Sequence, residues 1–218
     1  MALDQRRVFW EALILSVFVF SIGVTLGFFI EGWRGEKITD MYTNTEIDFL
    51  DVRLQTQIYD HAITKCDVAV DENIKFGDRI YEEAKLLDRY ESAQRLSDSL
   101  ITQHKKYDLL RVSFWINSMK IRDSCNATYH TVTYFYKYNN PTIEEKAKQS
   151  VIAQVLTEVK EILGAKIMLI PIAGDLNVSS VEIMKNNYGI KNLPSVLIDE
   201  KIVVDNEITK EEMLKHLQ

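Results

Sequence analysis

The chain has 218 residues, 46% of them hydrophobic and 27% charged, which is the composition of a folded protein and excludes a fibre, a disordered tract or a mini-protein. Its net charge of -6, with bases scattered among acids, excludes a surface built to neutralise phosphates, so no nucleic-acid partner is expected. Two cysteines exclude a disulfide-dense scaffold and a four-cysteine zinc site but leave room for one bridge.

Residues 1–11 read as a short tail ahead of the uncharged run Ala12–Ile30, ALILSVFVFSIGVTLGFFI. At ~1.5 Å per residue, a helix of that length spans the ~30 Å hydrocarbon core of a bilayer. The alternative is a cleaved signal peptide, whose apolar region is shorter and ends in small residues; this run ends in Phe28, Phe29 and Ile30. Residues 12–30 are expected to be a retained transmembrane helix, with the lipid bilayer as partner and Trp10 and Trp33 at the two interfaces. Arg6 and Arg7 precede the run, while Arg34 and Lys37 follow it among acids. That slight bias favours a cell-membrane protein with a cytoplasmic N-terminus and an extracytoplasmic C-terminal portion. Gly23 and Gly27 form a GxxxG spacing through which two such helices can approach; the alternative is simple glycine tolerance in a membrane helix.

Residues 31–128 contain no proline, and nothing there has to break a helix. Ile38, Tyr42, Thr45, Phe49, Val52, Thr56, Tyr59, Ile63 and Cys66 recur at spacings of four and three, with Ile47, Leu50, Leu54 and Ile58 widening the stripe. This predicts one long amphipathic helix. Asp71 is a candidate cap for a second helix carrying Phe76, Ile80, Ala84, Leu87 and Tyr90, which the stretch Leu96–Ser99 can end. A third helix carries Tyr107, Leu110, Phe114 and Ile121, with Val112, Trp115 and Met119 beside them. Together they predict an up-down-up antiparallel, coiled-coil-like stalk, a second surface for homo-oligomer formation. In that arrangement the first and third helices end at the same place, which puts Cys66 beside Cys125 and predicts a disulfide between them.

Residues 129–218 change period. HTVTYFYKY, His130–Tyr138, is rich in β-branched and aromatic residues and reads as a strand. Pro141 and the Thr142-x-x-Glu145 capping box open a helix that Gly164 stops near Leu163. Lys166–Asp175 is a second strand, and Ser179-x-x-Glu182 is read as the cap of a helix ending near Tyr188-Gly189. Two short apolar runs around Asp199-Glu200-Lys201 signal a hairpin, and Thr209-x-x-Glu212 caps a last helix. The order βαβαββα is an α/β plan with mixed strand directions.

Tyr188-Gly189-Ile190, then Leu193-Pro194-Ser195-Val196-Leu197-Ile198, then the turn, strand and capped terminal helix resemble the thioredoxin-like superfamily over about residues 130–217. The resemblance implies a cis bond at Leu193-Pro194 and a groove beside it that accepts extended peptide. It is also similar to membrane-anchored members in which a helical segment precedes the fold. Where thioredoxins carry Cys-x-x-Cys, this chain reads Tyr138-Asn139-Asn140-Pro141-Thr142, so that junction offers no thiol. Asn139, Asn140, Thr142, Leu193 and Pro194 make up the candidate peptide groove, although asparagine before proline and threonine at a helix start are ordinary turn and cap chemistry.

No catalytic constellation, metal site or cofactor site is expected. His61, His104, His130 and His216 are scattered without ligand spacing, and Glu144-Glu145 and Glu211-Glu212 fall in helix first turns, where negative charge is favourable. Asn126-Ala-Thr128 and Asn177-Val-Ser179 match the glycosylation pattern, which matters only outside the cytoplasm. The reading is a membrane-tethered, redox-inactive thioredoxin-like binding or scaffold protein with a protein partner. The alternative is a thiol-disulfide oxidoreductase, or a redox partner, working through Cys66 and Cys125.

Overall fold

The computed structural model describes the backbone of residues 2–61, 65–91, 98–205 and 208–217, and the side chains of 7–30, 46–59, 65–85, 101–205 and 208–217. Among the described residues the chain is largely helical, with helices α1 (Ala2–His61), α2 (Cys66–Glu91), α3 (Asp98–Cys125), α4 (Ile143–Leu163), α5 (Ser179–Asn187) and α6 (Lys210–His216). The strands are β1 (His130–Tyr136), β2 (Ile167–Ala173), β3 (Ser195–Ile198) and β4 (Ile202–Val204), and a 3-10 turn, Gly164–Lys166, leads into β2. The strand and helix order from His130 onward is the predicted βαβαββα. Two compact units result, Met1–Asn44 and Thr45–Gln218, and α1 contributes to both.

In the first unit, Arg7–Ile30 is long and apolar enough to cross a membrane, and the predicted 12–30 span lies inside it. Its large apolar side chains, Phe18, Phe20, Phe28 and Phe29 among them, are exposed. The hydroxyls of Ser21 and Thr25 donate back to the carbonyls of Val17 and Ser21, each at 2.8 Å, so neither needs water. A Cβ added at Gly23 or Gly27 would meet nothing within 4 Å.

The second unit is built on a four-stranded sheet of order β2-β1-β3-β4. β1 and β2 are parallel, while β3 runs antiparallel to both β1 and β4. Alternation along the strands gives the sheet two faces. Val132, Tyr134, Leu169, Val196 and Ile198 point to one side, where Ile152, Leu156 and Val159 of α4 and Met213 of α6 complete a core. Thr142 and Thr209 start those two helices with the predicted capping boxes, and Gly164, at φ 55, ends α4.

α2 and α3 contact the same sheet. Trp115 of α3 sits edge-on to Phe135 of β1 at 6.0 Å. At Gly77 the approach of α2 is so close that an added Cβ would lie 2.9 Å from Met168 Sδ and 2.9 Å from Phe114 Cζ. Helical segment and strand-bearing segment thus share a core within Thr45–Gln218.

The directions of the helices follow from their contacts. Glu46 of α1 pairs with Lys106 of α3, and Thr56 of α1 reaches Asn117 of α3, so α1 and α3 run the same way. Asn73 of α2 bonds Ser118 of α3 at 3.1 Å, and the Tyr107 hydroxyl of α3 donates to the Ile80 carbonyl of α2 at 2.8 Å, so α2 runs against them. This is the predicted up-down-up order. Cys66, opening α2, and Cys125, closing α3, are disulfide-bonded with their α-carbons 5.3 Å apart.

Four expectations need correction. Cys66, read as the end of the first helix, instead opens α2, which therefore begins there rather than at Asp71, whose carboxylate pairs with Lys75 at 2.7 Å one turn on. Nothing in Asp67-Val68-Ala69-Val70 breaks a helix, so it extends back past the acid. α5 is capped by Val178 with no side-chain bond, and Ser179 is its first helical residue. Ile47, Leu50, Leu54 and Ile58, read as widening the packing stripe of α1, are 52–60% exposed, whereas Val52 is buried. β1 stops at Tyr136, two residues short, because the amides of Tyr138 and Asn139 turn to Asp175. The readings at Ile38, Tyr42, Ile63, Leu87 and Tyr90, and the Leu96-Ser97 stop, lie outside the described residues or side chains.

Candidate functional site

At the end of the sheet where β1 and β2 finish and β3 begins, three backbone segments converge: the β1–α4 loop, the turn after β2, and the residues before β3. Asp175 organises them. Its carboxylate accepts the amides of Tyr138 and Asn139, both at 2.8 Å, while the Asn139 side-chain amide donates to the Asp175 carbonyl at 3.2 Å. Gly174 N–H donates to the Tyr136 carbonyl at 2.8 Å. A Cβ at Gly174 would lie 2.7 Å from Leu193 Cδ2, so only glycine lets Leu193 come that close undisturbed. The Leu193-Pro194 bond is cis, as the resemblance implied, and Pro194 is buried.

The helix side of the loop is equally occupied. Thr142 Oγ1 accepts the Glu145 amide at 3.2 Å, and the Glu145 carboxylate accepts the Thr142 amide at 2.7 Å. Lys137 Nζ donates to both Glu145 oxygens, at 2.9 and 3.0 Å, which holds that carboxyl below its ordinary range. Gln149 Oε1 accepts the Lys137 amide at 2.8 Å. Asn140 is exposed at φ 43, a left-handed conformation that asparagine tolerates better than most residues. The structure therefore brings Asn139, Asn140, Thr142, Leu193 and Pro194 to one end of the sheet. The polar groups of Asn139 and Thr142 serve the loop itself.

Beneath the loop lies a buried polar group absent from the sequence reading. His104 Nε2 is 2.7 Å from the Tyr136 hydroxyl, and its ring lies 4.1 Å from that of Tyr138. Asp108 Oδ1 accepts from Arg111 at 3.2 Å and from the Ala173 amide at 3.4 Å. Burial pushes the Asp108 carboxyl up, opposed by His104 and Arg111. Spacing carried the signal: His104, Asp108 and Arg111 fall at i, i+4 and i+7, on one face of α3 with Tyr107.

A second polar cluster closes the opposite end of the sheet. Arg122 donates to Thr131 Oγ1 at 2.8 Å and to Asp199 Oδ1 at 3.1 Å, and also pairs with Glu200. His130 Nδ1 lies 2.6 Å from Asp199 Oδ2. Asp199 and Glu200, at φ 49 and 56, form the tight β3–β4 turn that the hairpin signal predicted, and the Lys201 amide closes it on the Ile198 carbonyl at 3.0 Å.

Cys66 is exposed and Cys125 half-exposed, and both line a cleft of about 380 Å³ with Asp67, Val70, Asp71 and Ile74. Asn126 and Asn177, the two sequon asparagines, are exposed and left-handed, at φ 51 and 55. Among the described residues no three histidine, cysteine or acidic side chains are grouped so as to hold a metal ion.

No protein-family model matches the chain. No curated protein matches it either. Among solved structures, it is similar to one described as "Structure of a malarial protein", at 14% identity and a TM-score of 0.33, over 41% of this chain and 93% of that one.

Proposed function

We propose that the chain is a membrane-tethered, extracytoplasmic, redox-inactive thioredoxin-like protein that binds or scaffolds an extended partner segment. One observation carries this reading: in a sheet of order β2-β1-β3-β4 with Pro194 directly before β3, the β1–α4 loop is present and ordered by Asp175 but carries no thiol. The apolar span Arg7–Ile30 supports the tether. The Cys66–Cys125 bond supports the extracytoplasmic side, because disulfides persist in oxidising compartments.

A photoreactive side chain placed at Asn140 in the full chain, in its own membrane, tests the groove. Capture of one defined protein from Asn140, and not from the same probe at Lys146 on the exposed side of α4, supports the reading. Equal capture from both positions, or none, rejects it. Labelling of a Lys75→Cys variant by an impermeant maleimide on sealed cells is expected for the proposed orientation, and protection reverses it.

A second reading, thiol-disulfide exchange through Cys66 and Cys125, is favoured by the exposure of Cys66 and the cleft beside the bridge. Catalysed insulin reduction by the full chain supplied with a dithiol supports this second reading; a rate no greater than that of the Cys66→Ser/Cys125→Ser variant removes it.

A further inference from the structure

We infer that Asn126 is a site of N-linked glycosylation, taking an oligosaccharide from a lipid-linked sugar phosphate. The inference rests on the extracytoplasmic side of the proposed function, where that modification belongs. Among the described residues three asparagines are exposed, left-handed and followed two positions on by a hydroxyl: Asn126 before Thr128, Asn140 before Thr142, and Asn177 before Ser179. Left-handed backbone by itself accounts for an asparagine at all three, because its short polar side chain tolerates that conformation. The hydroxyls, and what they already do, separate the three.

Asn140 is excluded twice over. Pro141 holds the middle position, where the acceptor pattern forbids proline, and Thr142 Oγ1 is spent on the Glu145 amide at 3.2 Å. At Asn177 the hydroxyl belongs to Ser179, the first helical residue of α5 with Val178 as its cap, so handing the triplet to an enzyme means opening that first turn. Asn126 asks for no such change. It stops α3 in the left-handed form, with the Ala127 amide donating to the Arg122 carbonyl at 3.1 Å, and Ala127–Tyr129 then run outside helix and strand until β1 begins at His130. Asn126 and Thr128 are both exposed, and neither side chain is hydrogen-bonded to the described residues. The helix stop uses only the backbone of Asn126 and leaves the Thr128 hydroxyl without a structural duty. β1, seven residues long, separates this triplet from the candidate groove by about 20 Å, so a glycan here leaves the groove open. The transfer forms a bond from Asn126 Nδ2 to C1 of the sugar and breaks the bond from C1 to the phosphate. The lipid phosphate departs with that electron pair, the amide gives up one proton, and nothing is oxidised or reduced.

The experiment uses the full chain isolated from its own membrane. Intact-glycopeptide mass spectrometry is expected to find an added oligosaccharide mass on Asn126, at higher occupancy than on Asn177, with Asn140 unmodified. Thr128→Ala, which leaves the helix stop at Asn126 in place, is expected to remove that mass, and Thr128→Ser to retain it. An unmodified Asn126, in a chain whose Lys75→Cys variant is labelled from outside, overturns the site and leaves the orientation standing. Protection of Lys75→Cys together with an unmodified Asn126 overturns both. Occupancy greater at Asn177 than at Asn126, or a mass on Asn126 that survives Thr128→Ala, would also overturn the assignment.

Discussion

The indole N–H of Trp115 donates to Oε1 of Glu200 at 2.6 Å, joining the middle of α3 to the turn between β3 and β4. Trp115 is fully buried, against Phe135 on one side and Tyr188 on another. Trp115→Phe keeps most of the apolar volume but deletes a hydrogen bond to a charged acceptor, a loss of about 1.5–3 kcal/mol. Trp115→Ala adds a cavity and is expected to cost about 3–5 kcal/mol. Urea denaturation of the two variants checks the order, Ala below Phe below parent.

The same packing bears on how far the strand-bearing segment stands alone. A fragment from residue 129 contains all four strands found among the described residues, and the sequence pattern by itself leads one to expect that it folds. It lacks Phe76, Ile80, Leu110, Phe114 and Trp115, all buried in the chain, which leaves one face of the sheet uncovered. The expected outcome is a fragment 129–218 with poor amide dispersion and dye binding, against a well-dispersed spectrum for residues 45–218. A fully folded 129–218 fragment would show that α4 and α6 suffice.

The Cys66–Cys125 bond closes a sequence separation of 59 residues. Chain-entropy arguments assign such a loop about 4 kcal/mol, with measured values spread around 2–4. Cys66→Ser/Cys125→Ser is therefore expected to lower the denaturation midpoint and to steepen the denaturant dependence, because the unfolded chain without the cross-link is more expanded. The bridge ties the start of α2 to the end of α3, so hydrogen exchange should rise first at those two helix ends.

Glu83 gives a pH-dependent test. Burial raises its carboxyl above the ordinary value, Asp48 raises it further, and Arg79 and Arg111 oppose. One of its oxygens, Oε2, is buried without a hydrogen-bond partner. A carboxyl whose folded pKa exceeds its unfolded one stabilises the fold most fully below the unfolded value, and that contribution is lost as pH rises through the folded value. Glu83→Gln is thus expected to be more stable than the parent at about pH 8, with the advantage gone near pH 3, where both side chains are neutral. An advantage that persists unchanged in acid would place its origin elsewhere.

Several parts of this architecture are legible in the sequence because a local rule decides them. Length marks the apolar span, the Thr142 and Thr209 capping boxes mark two helix starts, and helix directions bring Cys66 to Cys125. Other parts depend on partners that periodicity does not name. The spacing of Ile47, Leu50, Leu54 and Ile58 shows that they share a side of α1, but not that the core stops at Val52. His104, Asp108 and Arg111 escape a search for apolar stripes because they are polar groups on a buried face. Asp71 has cap chemistry, yet its acid finds Lys75 one turn on inside a helix that had already begun.

Asp175 turns the β1–α4 loop into a surface with few unspent polar groups. The amides of Tyr138 and Asn139 already end on its carboxylate, and the amide of Thr142 ends on Glu145. A segment laid across this loop would have to break those bonds before it could take hydrogen bonds from the same amides. On the proposed function, discrimination there would fall to contour, to the fit against Leu193 and Pro194, and to whatever the Asn140 side chain meets. A groove of that kind would sort extended segments by outline rather than by charge.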